Sequence, residues 1–254
     1  MVFNRSVLLL VLFFIPASLF ANKLYFPQVA FGGGYTTTIV LMNAGAANVS
    51  SHLQVYGQTG ALVMSVPVTV TAGGSTRLTV SDPGTAIISS WGMLDAGTGT
   101  VQGAAIFESR STNGALITTA GVFGIEAGNG FTVPVDVTGN GSANTGIAIA
   151  NVNTSSEVTV VLQLISESGS GSPSVTGYFS RFVTLAPGQQ IAEFVTSFWP
   201  QLADGFRGSL AVAVLDIAQR PNSLILTGLS IKEGLLSALP AIPGTNSCSG
   251  CWDY

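Results

Sequence analysis

The stretch Phe26–Asn43, FPQVAFGGGYTTTIVLMN, has a counterpart further along the chain in Val133–Asn151, VPVDVTGNGSANTGIAIAN. Each stretch runs from an extended segment through a glycine-rich turn into a second extended segment that ends at Asn. In the first copy this second segment is rich in Thr, Ile and Val, whose β-branched side chains favour strands. The repeat therefore predicts two domains of the same kind, both built from strands.

The rest of the chain fits an all-β fold. About seven short strands in each repeat, with turn residues every 8 to 12 positions, are typical of Ig-like antiparallel β-sandwiches. Only 8% of the residues are charged, against roughly 25% in an average protein. We predict one sandwich over residues 22–128, a second over 129–244 and a short tail over 245–254.

Two segments have patterns that do not indicate a strand alone. Ile191–Trp199 carries aromatic and aliphatic residues at helical spacing and is followed by Pro200, so we predict a helix there. Ile87–Met93 is predicted to be either a strand or one helical turn.

The first 21 residues have the pattern of a cleaved signal peptide. Arg5 precedes the apolar run Val7–Ile15, and Ala21 supplies a small residue for cleavage. The alternative is an uncleaved anchor, but the apolar run is shorter than the ~20 residues that span a bilayer. We expect a secreted protein, extracellular or at the cell surface, with the periplasm as a further location.

The charge of the chain excludes some partners. The formal net charge is −4, and Lys and Arg do not cluster anywhere. Nucleic acids and anionic membrane surfaces attract basic patches. We therefore expect protein partners or self-association, with glycans as a further class of ligand and no nucleic acid.

Several short motifs carry a resemblance to a known group of proteins. They are YFPQV at Tyr25–Val29, TAGGS at Thr71–Ser75, APGQQ at Ala186–Gln190 and FRGSL at Phe206–Leu210. The chain resembles uncharacterised tandem β-sandwich repeat modules of secreted bacterial proteins over nearly all of Leu24–Pro243. This resemblance implies the fold and an exported protein, and it supplies no catalytic residues.

One loop resembles the start of a calcium site. Asp136, Thr138 and Asn140 place oxygen-bearing side chains at alternate positions before a glycine, as calcium loops do. Ile147 stands where such a loop has its bidentate Glu. A polar β-turn is the alternative, and on that basis we expect no cofactor, with calcium at this loop as the one candidate.

The sequence offers no catalytic group. His52, the one histidine, lies on the polar side of an alternating segment, and no G-x-S-x-G motif marks a nucleophile. Gly32–Gly34 is not followed by the Lys and Ser or Thr of a phosphate loop, so we predict a turn with unusual φ values. We predict that the protein is not an enzyme.

The two cysteines lie in the tail. Cys248 and Cys251 are separated by two residues, and in an oxidising compartment we expect a local disulfide between them. Bridges between chains and metal binding are the alternatives. A local bridge would close a very small loop and add little stability.

These observations predict a secreted, non-enzymatic structural or interaction module. The first alternative is a carbohydrate- or calcium-dependent, adhesin-like binding module, which would expose an aromatic side chain such as Trp91 or Trp199 beside polar loops. Trp199 and Phe198 are otherwise expected to plug the open end of a sandwich. A lesser alternative is an outer-membrane β-barrel, since alternating strands and a mean hydropathy of +0.53 fit one.

Overall fold

A computed structural model describes the chain in five segments: residues 22–138, 142–167, 179–202, 205–217 and 220–244. Four of the predictions above concern residues outside these segments: the signal peptide, Asn140 as a calcium ligand, the tail over 245–254 and the disulfide between Cys248 and Cys251.

The described residues form seventeen strands and one helical turn. The first eight strands are β1 (Lys23–Phe31), β2 (Tyr35–Asn43), β3 (Val49–Gly57), β4 (Leu62–Val70), β5 (Ser75–Ser81), β6 (Ile88–Asp95), β7 (Val101–Arg110) and β8 (Leu116–Phe123). The remaining elements are β9 (Gly130–Val137), β10 (Ala143–Asn151), β11 (Val158–Ser166), β12 (Phe179–Leu185), β13 (Gln190–Phe194), α1 (Val195–Phe198), β14 (Phe206–Val214), β15 (Leu224–Lys232), β16 (Leu235–Leu239) and β17 (Ile242–Pro243).

The strands pair into four antiparallel sheets. Sheet I has the order β1-β6-β3-β4, and sheet II has the order β5-β2-β7-β8. Sheet III has the order β12-β11-β14-β9-β17, and sheet IV has the order β13-β10-β15-β16. When eight is added to each strand number, sheet I becomes β9-β14-β11-β12, which is sheet III read backwards without β17. Sheet II becomes β13-β10-β15-β16, which is sheet IV. The duplication seen in the sequence is therefore a duplication of strand order, with β17 as an addition to sheet III.

Each pair of sheets encloses its own apolar core. In the first half, sheet I contributes Phe26 and Leu53 and sheet II contributes Ile39 and Leu41, all fully buried. The second half has a separate core between sheets III and IV, centred on residues such as Leu162. The prediction of an all-β chain is confirmed, with four antiparallel sheets.

The Asn at the end of the repeated stretch closes each half in the same way. The Nδ2 group of Asn43 donates to the carbonyl oxygens of Ala47 (2.7 Å) and Val70 (3.2 Å), and its Oδ1 accepts from the backbone N–H of Gly45. Asn151 makes the matching bonds to Ser156 and Leu185 at 2.8 and 3.2 Å. One buried side chain thus joins the end of a strand in one sheet to the end of a strand in the other.

The glycine loop of the first repeat has the backbone that was predicted. Gly32, Gly33 and Gly34 have φ values of 75°, 57° and 88°. A Cβ on Gly32 would lie 2.4 Å from the carbonyl oxygen of Ala86, so the turn has no room for a side chain there. This tight turn lets β2 follow β1 directly.

The helix predicted over Ile191–Trp199 is mostly wrong. Gln190–Phe194 is the edge strand β13, with Ile191 paired to Ile149 of β10, and only Val195–Phe198 is helical. Backbone pairing with β10 holds these residues as a strand and overrides their helical spacing. For Ile87–Met93, the strand alternative is right.

All four sheets are open. Each has two edge strands in the described part of the chain. None of the four sheets closes on itself among the described residues.

Within the described segments, no helix has the length and apolar character needed to cross a bilayer.

Candidate functional site

The most elaborate site in the molecule is the contact between its two halves. Three aromatic residues on the outer face of sheet I form its centre: Tyr25 on β1, Tyr56 on β3 and Trp91 on β6. Trp91 stacks on Tyr56 with ring centroids 4.4 Å apart and meets Tyr25 at 6.3 Å. The cluster packs against Ala150 and Ile225 of sheet IV, and Trp91 is fully buried.

Trp91 also has a polar partner in the second half. Its Nε1–H donates to the carbonyl oxygen of Gly188 at 2.8 Å. Gly188 and Gly60 of the first half touch backbone to backbone: a Cβ on Gly60 would lie 2.3 Å from the Pro187 carbonyl oxygen. The indole is thus fixed at both its apolar and its polar end, as buried Trp side chains usually are.

Gln190 extends the contact through a buried hydrogen-bond network. Its Nε2 group donates to the carbonyl oxygens of Pro27 (2.8 Å) and Ser90 (2.9 Å). Its backbone N–H donates to the carbonyl oxygen of Gln58 (3.0 Å). The pairing of β1 with β6 shifts register between Phe26 and Val29. Pro27 lies in this bulge, where a residue without an N–H is tolerated in a strand.

A second contact lies at the other side of the interface. Phe107, Ala120 and Val122 of sheet II pack against Leu229 and Leu236 of sheet IV. The backbone N–H of Leu236 also donates to Thr118 Oγ1 at 2.8 Å. The two contacts lie on different sheets of the first half, and both fall on the same sheet of the second half. A contact at two places restricts rotation between the halves.

Burial changes the acidity of the tyrosines in this site. Burial raises the pKa of Tyr25 to about 12, with smaller contributions from Asp95 and Tyr56. Burial also raises the pKa of Tyr56. The site therefore favours neutral phenols, which suits a packing contact.

The predicted calcium residues that are described lie elsewhere, at the end of β9. Asp136 Oδ2 lies 3.8 Å from Arg207 Nε on β14, and Asp136 Oδ1 is buried with no hydrogen-bond partner among the described residues. Thr138 pairs through its backbone with Ala143. The structure thus places Asp136 and Thr138 at one strand end.

The other residues singled out in the sequence have ordinary surroundings. His52 is exposed on β3 opposite Pro67. Trp199 is buried in the second core, and Phe198 packs against that core. Among the described residues, no group of three His, Cys, Asp or Glu side chains could hold a metal ion.

An open cleft lies at one end of the first half. It has a volume of about 660 Å³ and lies between the loops Asn43–Ser51 and Asp95–Thr100. Backbone atoms and small polar side chains form most of its wall, and no aromatic side chain lines it. The cleft lacks the apolar lining of a typical small-molecule site.

Sequence reasoning missed the interface. It noted the YFPQV and APGQQ motifs but did not predict that Pro27 and Gln190, one from each motif, would meet. Two motifs 163 positions apart can be placed together only once the packing of the halves is known. Their polar residues in otherwise apolar surroundings were the available signal.

Comparisons of this chain with family models, with curated proteins and with solved structures give no match.

Proposed function

We propose that this chain is a secreted, non-enzymatic structural or interaction protein at the cell surface or outside the cell. The observation that supports it best is the buried contact between the halves. Trp91, Gln190 and the facing glycines make the two halves one stiff unit, which is what a spacer or a binding scaffold requires. Sheets II and III present their outer faces on this unit.

We also infer that the halves are variants of the Ig-like sandwich. The pairings of β2 with β5 and of β3 with β6 support this, because Ig domains pair their strands B with E and C with F. Three strands depart from the Ig order: β1 joins β6, β7 joins β2 and β4 joins β3. An additional strand, β8, pairs with β7.

Cell fractionation tests the proposed location. Cells of the source organism are separated into culture medium, surface, periplasmic and cytoplasmic fractions, and the chain is detected with an antibody. We expect an exported form whose N-terminus lies close to Asn22. A full-length chain that begins at Met1 and stays in the cytoplasm would contradict the proposal.

The alternative proposal is a calcium- or carbohydrate-dependent adhesin-like module. Asp136 Oδ1 favours calcium, because it is buried and has no hydrogen-bond partner among the described residues, which costs free energy that a cation would recover. The burial of Trp91 and Trp199 removes the two aromatic platforms that were expected for a glycan.

Calorimetric titration with calcium tests this alternative. If Asp136 is a ligand, the titration shows one site per chain, and Asp136→Asn abolishes it. Asp82→Asn is the matched control, because Asp82 lies in an exposed turn where its Oδ1 accepts from the N–H of Gly84. The absence of heat with the unchanged chain would refute calcium binding.

A further inference from the structure

Sheet II carries an apolar stripe on its outer face. Ile39 and Leu41 of β2 point into the core, so Val40 and Met42 point outward. The same alternation on β7 and β8 turns further apolar residues outward, and three of them lie near Val40 and Met42. The apolar stripe consists of Val40, Met42, Ala104, Ile106 and Phe123.

The stripe is continuous across three strands. Val40 is paired with Ala104, and Ala104 is paired with Phe123, so the three side chains stand in one row. Phe123 is 77% exposed and Met42 is 53% exposed. An exposed phenylalanine in an apolar row is a common mark of an interaction surface.

The corresponding face of the second half is already an interface. Asn43 and Asn151 end equivalent strands, so Met42 corresponds to Ala150. Ala150 is fully buried against Tyr25 and Trp91 of the first half. The duplication thus gives two copies of this face, one covered within the chain and one open.

We propose that sheet II pairs face to face with sheet II of a second copy of this chain, forming a two-fold symmetric dimer. This proposal rests on the proposed structural or interaction function and specifies its partner. Symmetric dimers join identical patches, which must be self-complementary.

The positions of the charges support a two-fold contact. Arg77 stands in the row of Val40 on one side of the stripe, and Glu108 stands in the row of Thr36 on the other side. Strands about 4.8 Å apart, with a rise of about 3.3 Å per residue, let a two-fold axis run parallel to the sheet, between the two copies, above the line that joins Thr38 and Phe123.

Rotation about this axis produces complementary neighbours. Arg77 of each copy comes opposite Glu108 of the other copy, where Glu108 already pairs with Arg110 at 2.8 Å. Val40 comes opposite Ile106. Phe123 comes opposite its own counterpart, so this residue has the largest effect on the contact.

The size of the face sets the expected strength. Four strands of about eight residues give a face of roughly 500 Å², or roughly 1,000 Å² for two copies. Stable interfaces begin at about that total, so we expect a dimer with a dissociation constant in the micromolar range.

Sedimentation equilibrium of the chain from residue 22 onward tests the proposal, from low to several hundred micromolar. Reductant is present throughout, so that Cys248 and Cys251 cannot link chains. We expect a reversible dimer that Phe123→Asp abolishes, because two like charges would then face each other. Phe182→Asp is the matched control, since Phe182 is 66% exposed on the outer face of sheet III.

A charge exchange gives a second, independent readout. Arg77→Glu should weaken the dimer about tenfold or more, as like charges then face each other. Adding Glu108→Arg to the same chain should restore much of the affinity. Thermal unfolding of each variant checks that it keeps the native fold.

Three outcomes would overturn the dimer. They are a monomer at every concentration, a dimer that Phe123→Asp leaves intact, and equal loss with Phe182→Asp. A folded, exported monomer would remove the dimer and leave the proposed function standing. A chain found only in the cytoplasm would remove the proposed function and leave the dimer to be judged by these measurements.

Discussion

Asn43 and Asn151 make the same set of contacts at the ends of β2 and β10. Both side chains are buried, and their hydrogen bonds go to backbone groups of a neighbouring loop and of the facing sheet. The sequence predicted only that each strand stops at Asn. Asn suits this position because its amide side chain can donate and accept hydrogen bonds at once, which a Leu or Val side chain cannot do.

Replacing Asn43 tests this contact at the scale of one residue. Asn43→Ala leaves buried backbone groups without partners, and we expect the free energy of unfolding to fall by about 2–4 kcal/mol. Asn48→Ala is the control, because Asn48 is exposed and accepts one bond, from the N–H of Ala72. Urea unfolding measures both. Equal effects of the two substitutions would contradict a special role for Asn43.

Tyr25 gives a prediction about pH. Burial raises its pKa to about 12, above the unfolded value of about 10, so the folded state keeps the proton longer. The stabilising contribution is complete below pH ~10 and is lost as the pH rises from about 10 to about 12. It amounts to at most ~3 kcal/mol.

Unfolding in urea at a series of alkaline pH values checks this prediction. We expect the decline above pH ~10 to be smaller in Tyr25→Phe, which has no phenolic proton to lose. Tyr35→Phe on β2 is the comparison variant. An unchanged alkaline decline in Tyr25→Phe would assign it to other groups.

At the scale of elements, the sequence predicted the strand-rich fold, but it did not predict the strand β13. The strand alternative for Ile87–Met93 and the turn at Gly32–Gly34 appear where the sequence indicated. β13 was mistaken for a helix because Phe194, Val195 and Phe198 also satisfy a helical spacing. The local pattern of five residues cannot reveal that they will pair with the strand β10.

The β3–β4 turn allows a comparison between two glycines. Gly60 has a φ of 85° and Gly114, in the β7–β8 turn, has a φ of 84°. A Cβ on Gly114 would meet nothing within 4 Å, whereas one on Gly60 would meet backbone atoms of Pro187 and Gly188. The two sites share the backbone conformation and differ in the contact between the halves.

Substituting alanine for each glycine separates the cost of a side chain at positive φ from the cost of disturbing the contact between the halves. Gly114→Ala should lower the free energy of unfolding by about 1 kcal/mol, the cost of a side chain at positive φ. Gly60→Ala should cost a further 1–3 kcal/mol or so, because the facing backbone must move. Thermal unfolding compares the two variants. A Gly60→Ala chain as stable as Gly114→Ala would show that the close approach is not essential.

At the scale of the molecule, the sequence predicted two similar halves and nothing of their contact. The repeat, the low charge and the turn residues are local or compositional signals, so they can be read along the chain. The interface depends on how the halves differ. Trp91 stands on β6 where the second half has Ser209 on β14, and the Pro27 bulge has no counterpart in the pairing of β9. Such differences acquire meaning only after the halves are superposed.

The contact between the halves should make them unfold together. Trp91 is fully buried in that contact, whereas Trp199 is buried inside the second half. Calorimetry of the unchanged chain should show one transition. Trp91→Ala removes the largest side chain of the interface, at a cost of about 3–5 kcal/mol, and should split the melting curve into two transitions.

Trp199→Ala is the matched control for this experiment. It removes the same side chain from a core that belongs to one half, so it should lower the stability of that half at a similar cost. With the interface intact, the first half loses its buried partner when the second half unfolds, so the transition should move to lower temperature and stay single. If Trp91→Ala also keeps a single, shifted transition, the halves are coupled through Gln190 and the β8–β16 contact without Trp91.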